Sequence, residues 1–155
     1  MAISPSSPIT GAAETGLTSP TYTIVSDTAP NAHSKQWTVT ALGGTQTGVE
    51  VGTVSNPFTL TVERPANFRL VGTPNPITGV VSNVPRNIFK VRVRKGCVPL
   101  SGQNAVPSLL ECNFAIPAGA DVADPESVRA AQSFLIGFLW ANSDDFGDAC
   151  ISGNI

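Results

Sequence analysis

The segment that most restricts the fold is PRNIFKVRVRKG, residues 85–96, which holds five of the chain's nine Lys and Arg. From Lys90 to Arg94 basic residues alternate with valine. That period of two is a strand signal, because successive side chains on a strand point to opposite faces. Phe89, Val91 and Val93 therefore share a face that demands cover. Lys90, Arg92 and Arg94 share the opposite face at roughly 6.6 Å spacing, a short basic rail suited to a polyanion.

The remaining composition agrees with a β-rich chain. Fourteen Gly and thirteen Pro punctuate 155 residues of which only 13% are charged, so many short strands between turns are expected, in one domain spanning 1–155. The net charge of −2 conceals a segregation: six of eleven acids lie in residues 121–148. MAISPSSPITGAA has neither a basic n-region nor an apolar h-region, so no secretory leader is expected. Seven apolar residues, Phe134 to Trp140, fall short of a membrane span. Cys97, Cys112 and Cys150 have no metal-ligand spacing, and reduced thiols are expected.

Residues 1–20, with three prolines, predict an extended arm. Strands are predicted at TYTIVS (21–26), KQWTVTAL (35–42), GVEVGTV (48–54) and FTLTVE (58–63). In FTLTVE, Phe58, Leu60 and Val62 oppose Thr59, Thr61 and Glu63. Residues 65–85 carry four prolines and predict a long connection with one edge strand, Gly79 to Ser82. SLLECNFAIP (108–117) predicts another strand, with Leu110, Cys112, Phe114 and Ile116 inward and Glu111 and Asn113 outward.

The period then lengthens. Asp124 as N-cap, Pro125 at the first helical position and Glu126 in the first turn start a helix running to about 141. Its apolar residues, including Phe134, Leu135, Phe138, Leu139 and Trp140, span a wide arc that predicts burial. A second helix is expected from about 144 to 151, opening at Ser143 with Asp144 and Asp145 near its positive end. Two helices each about 10 Å across cannot cover a sheet of six or seven strands about 30 Å wide, and open edges need pairing. A homodimer that joins two sheets and crosses its helices onto the partner meets both demands.

No enzyme motif emerges. His33 has no neighbouring ligand or base, GGTQTG lacks the Lys-Ser/Thr of a phosphate loop, and Asp144, Asp145 and Asp148 read as helix-start charges. Trp37 and Trp140 read as packing residues. Neither a metal nor any cofactor is expected, and no membrane or small-molecule partner. On the residues alone a β-sandwich adhesin or tail-type binding module stays open; it would show two packed sheets and no helical cover.

FTLTVERP, PRNIFKVRVRKG, SLLECNFAIPAGA, DPESVRAAQSFLIGFLW and GDACISGNI, in that order over residues 57–155, resemble the coat proteins of single-stranded RNA bacteriophages, the levivirus group. The resemblance implies an α+β fold in which an antiparallel sheet of about six to seven strands (21–117) is followed by two C-terminal helices (124–151) that pack on the dimer partner. It implies a non-enzymatic virion protein, assembled in the bacterial cytoplasm, whose homodimers close an icosahedral T=3 shell around single-stranded genomic RNA. The inner sheet face would contact RNA, with a genomic hairpin as packaging signal and translational repressor. Carried over by position, the RNA contacts are Thr59, Thr61, Glu63, Lys90, Arg92, Arg94, Leu109, Glu111 and Asn113, although Glu63 and Glu111 repel phosphate. The assembly loop would comprise Gly96, Cys97, Val98, Pro99, Leu100, Ser101, Gly102, Gln103 and Asn104. The dimer contact would use Phe134, Leu135, Phe138, Leu139 and Trp140.

Overall fold

The computed structural model describes residues 2–155. Six strands, β1 (Ile9–Thr10), β2 (Thr18–Asp27), β3 (Ser34–Thr45), β4 (Phe58–Glu63), β5 (Arg86–Cys97) and β6 (Val106–Pro117), precede three helices, α1 (Ala120–Ala123), α2 (Pro125–Ala141) and α3 (Ser143–Ser152). The strands form one antiparallel sheet in chain order, β1-β2-β3-β4-β5-β6. One sheet with trailing helices is not the two-sheet sandwich of the alternative reading.

The alternation in the sequence sets the two faces. Leu60 pairs with Val93 and Val62 with Val91, while Val91 pairs with Cys112 and Phe89 with Phe114. These side chains line one apolar face, with Trp37 of β3 opposite Leu60. A register shift between Thr23 and Ile24 leaves the Ile24 amide free of the ladder, and it donates to Ser7 Oγ at 3.0 Å. The extended arm is thereby tied to the β2 edge.

Several expectations require correction. Residues 48–54 form no strand, because β3 pairs directly with β4 and leaves no sheet position for them. Instead the Gly52 amide donates to Val39 O at 2.9 Å, laying the segment beside the second half of β3. Gly79 to Ser82 is not an edge strand either, since Asn75 draws it into a turn: the Gly79 amide donates to Asn75 O at 2.8 Å and Gly79 takes φ +69°. The arm is less uniform than predicted, as its residues 9–10 make β1 and 18–20 open β2.

The long helix has the predicted bounds, and its Asp124 side chain accepts from the Ser127 amide at 3.2 Å, worth about 1 kcal/mol for such a cap. An extra turn, α1, precedes it. The N-cap of α3 is Asn142, so Ser143 is already helical. Ser143 Oγ and the Glu14 carboxylate form a hydrogen bond, and Thr15 Oγ1 donates to Asp148 Oδ2 at 3.1 Å. The β1–β2 turn thus holds the end of the chain.

Burial is sparse. The buried apolar residues among those described are Ile24, Val39 and Ala118, with Pro20, and α2 buries none of its side chains. Phe134 is 79% exposed and Trp140 59%, so the arc predicted to be covered is not covered by its own chain. The accessible surface is 10842 Å², against about 7,400 Å² for a compact monomer of this mass. A surplus of that order is what an obligate interface consumes.

Candidate nucleic-acid interface

The nine residues expected on one face lie in a regular grid across β4, β5 and β6. Thr59, Arg94 and Leu109 form one row, Thr61, Arg92 and Glu111 the next, and Glu63, Lys90 and Asn113 the third. The physical cause is the shared period of two: three in-register strands bring every second residue to the same side. Rows repeat at about 6.6 Å and columns at about 4.8 Å, close to the scale of a nucleotide backbone. Unbroken antiparallel register from Arg86–Pro117 to Cys97–Val106 fixes these positions.

The charges on the grid are unequal. Arg92 forms an ion pair with Glu111, the only salt bridge among the described residues. Asn31 Nδ2 donates to Glu63 Oε1 at 3.2 Å, so Glu63 is held from the turn side rather than by Lys90. Lys90 and Arg94 therefore carry charge that no carboxylate neutralises. The Thr59 hydroxyl is buried without a hydrogen-bond partner, an arrangement that costs free energy unless something bonds it.

The sequence reading missed how far this face extends. Gln36 lies opposite Thr61 and Thr38 opposite Thr59, and Asp27 lies opposite Gln36. Thr61 donates to Gln36 Oε1 at 3.1 Å and Gln36 Nε2 donates to Asp27 Oδ2 at 2.8 Å, so a polar chain crosses three strands. The Gln36 contact, with the Thr28 amide, holds the Asp27 carboxyl below its ordinary range. Alternation within KQWTVT carried the signal for Gln36 and Thr38. Arg86 shares the face of Lys90 by strand parity, with Ile88 between them.

At the far end of β5 the turn 98–105 is exposed, apart from half-buried Ala105. Gln103 N donates to Leu100 O at 3.0 Å and Gly102 takes φ +81°. Val98, Pro99, Leu100, Ser101, Gly102, Gln103 and Asn104 lie in this turn; Gly96 and Cys97 do not, being the last residues of β5. Gly96 is buried, because its amide donates to Pro57 O at 2.7 Å and a Cβ would collide with the Asn56 side chain. Lys95 stands on the face opposite Lys90, Arg92 and Arg94 by strand parity; its Nζ lies 5.3 Å from the Phe58 ring centroid and donates to Asn56 Oδ1 at 3.2 Å.

Beside α2 an apolar cleft of about 800 Å³ is lined by Phe89, Phe114, Ile116, Val128 and Leu135, with Ile3 of the arm at its wall. No helix is long and apolar enough to cross a membrane, and no cluster of metal-ligating side chains occurs among the described residues.

No protein-family model and no curated protein matches the chain. Among solved structures, the virus-like particle of bacteriophage ESE020 matches with a TM-score of 0.96 at 50% identity, covering 99% of this chain and 100% of that one. The virus-like particle of Beihai levi-like virus 32 matches with a TM-score of 0.52 at 19% identity over 86% and 88% of the two chains, a likeness of fold. An open-edged sheet with unspent apolar helices, matched over its whole length by a particle subunit, defines a structural protein that builds shells and is not an enzyme. The chain belongs to the levivirus-like bacteriophage coat proteins, whose subunits self-associate into a capsid.

Proposed function

We propose that this coat protein acts as a homodimer whose continuous sheet turns its polar face toward single-stranded RNA inside an icosahedral shell. The observation that carries the RNA reading is the grid on β4, β5 and β6, where Lys90 and Arg94, in its two outer rows, have no salt-bridge partner. Phosphate contacts from Lys and Arg supply sequence-independent affinity, and the exposed Asn113 offers hydrogen bonds to bases or sugars. Glu111 holds Arg92, which favours general packaging over recognition of one hairpin as a packaging signal or repressor site.

The dimer reading rests on β6 and α2. β6 has twelve residues and pairs only with β5, so its outer edge is a template for another strand. Two β6 strands pairing about a two-fold axis would extend the sheet to twelve strands. They would also set Phe134, Leu135, Phe138, Leu139 and Trp140 over the partner's apolar face, with the cleft beside α2 receiving its helix.

Expression in bacteria followed by electron microscopy and light scattering tests both parts. Shells containing nuclease-protected RNA, releasing subunits of twice 16.0 kDa on disassembly, are the expected result. A stable monomer would sink the dimer, and shells empty of RNA at low salt would sink the RNA face.

A further inference from the structure

We propose that the connection between β4 and β5 is a contact between dimers, seating the turn Asn75–Val80 on a copy of this chain in a neighbouring dimer. The inference rests on the dimer reading above. Residues 70–85 contain no charged side chain, yet Leu70 is 82% exposed, Ile77 93% and Val80 61%. A contiguous uncharged apolar projection of this kind marks an interaction site.

The projection is built rather than loose. At its base Asn87, itself buried, donates from Nδ2 to Arg69 O at 3.0 Å and accepts from the Arg69 amide at 2.8 Å. The Phe68 and Phe89 rings pack at 5.9 Å between centroids. At its tip the Asn75 amide donates to Val80 O at 3.0 Å, and Asn75 Oδ1 accepts from the Ile77 amide at 2.8 Å. Base and tip are thus each held by hydrogen bonds before any partner arrives, which lowers the cost of binding.

Three considerations identify the occupant. A two-fold contact closes on itself and stops at the dimer, so a shell needs a second contact elsewhere on each chain. An obligate dimer burying up to about 5,000 Å² in total takes about 2,500 Å² per chain, less than the surplus surface found here. RNA is disfavoured, because Phe68 packs on the Phe89 side of β5, opposite Lys90, and the segment offers no cation.

The test is the pair of substitutions Ile77→Asp and Val80→Asp in the full chain. The expected result is a dimer of unchanged mass and unchanged circular dichroism, with shell yield down by about tenfold or more as each repeated contact weakens, or shells of altered size. Wild-type shells in wild-type yield would overturn the proposal. So would a monomeric variant from a dimeric parent, since the segment would then belong to the dimer contact itself. Should the variant misfold, hydrogen exchange on the wild-type protein decides: amides of residues 72–82 are expected to gain protection in shells over free dimers, and equal exchange overturns the proposal. The mass of the wild-type protein after disassembly reports on the dimer independently.

Discussion

The free charges on β5 decide how the polar face behaves. Replacing Lys90 and Arg94 by Ala should flatten the dependence of log K on log salt by about 1.4, at roughly 0.7 per phosphate on single strands, measured by filter binding across a salt series. Glu111→Gln should act oppositely, releasing Arg92 to add about 0.7 to the slope; an unchanged slope would mean that Arg92 is not phosphate-facing. Tyr22, the single tyrosine, offers a second readout. Burial, reinforced by the Glu14 charge, raises its pKa above 10.0. The folded protein therefore keeps this proton longer than the unfolded chain, so the associated stability is intact below pH 10 and declines as pH rises through the folded pKa. Ultraviolet titration of the phenol should give a midpoint above 10, moving down in Glu14→Gln.

Among the elements, strand identity depended on what each strand could pair with. FTLTVE, FKVRVR and LECNFA became strands on their alternation because each found an in-register neighbour. GVEVGTV shares that alternation and did not, since β3 and β4 had already closed on each other. The bounds of α2 were legible because its start signals are local: cap, proline and acid act within one turn. Asp124→Ala should cost about 1 kcal/mol in stability. Asn87→Ala should cost about 1–3 kcal/mol, because it strips two hydrogen bonds from the Arg69 backbone beside a part-buried site; thermal melts of assembled and free protein check both.

For the molecule as a whole, the sparse core sets the behaviour. With so few buried apolar residues among those described, a single chain has too little of its own to stay folded, so folding and association are expected to be one process. The melting temperature should then rise with protein concentration, as scanning calorimetry over a hundredfold range would show. A melting temperature independent of concentration, at dimer mass or below, would mean that the exposed face of α2 contributes nothing.

The sequence by itself determined the period of each main strand, the faces of the basic rail, the start of α2 and the kinship to a family of coat proteins, because all of these are carried by residues near one another in the chain. Only the tertiary structure decided which carboxylates meet which cations, that Lys95 sits over Phe58, that Gly96 belongs to the strand, and that residues 70–85 form an uncharged projection. Those outcomes depend on register and on contacts between residues tens of positions apart, which compete for the same few partners. Arg92 and Glu111, nineteen positions apart in sequence, are neighbours because β5 and β6 pair without a bulge.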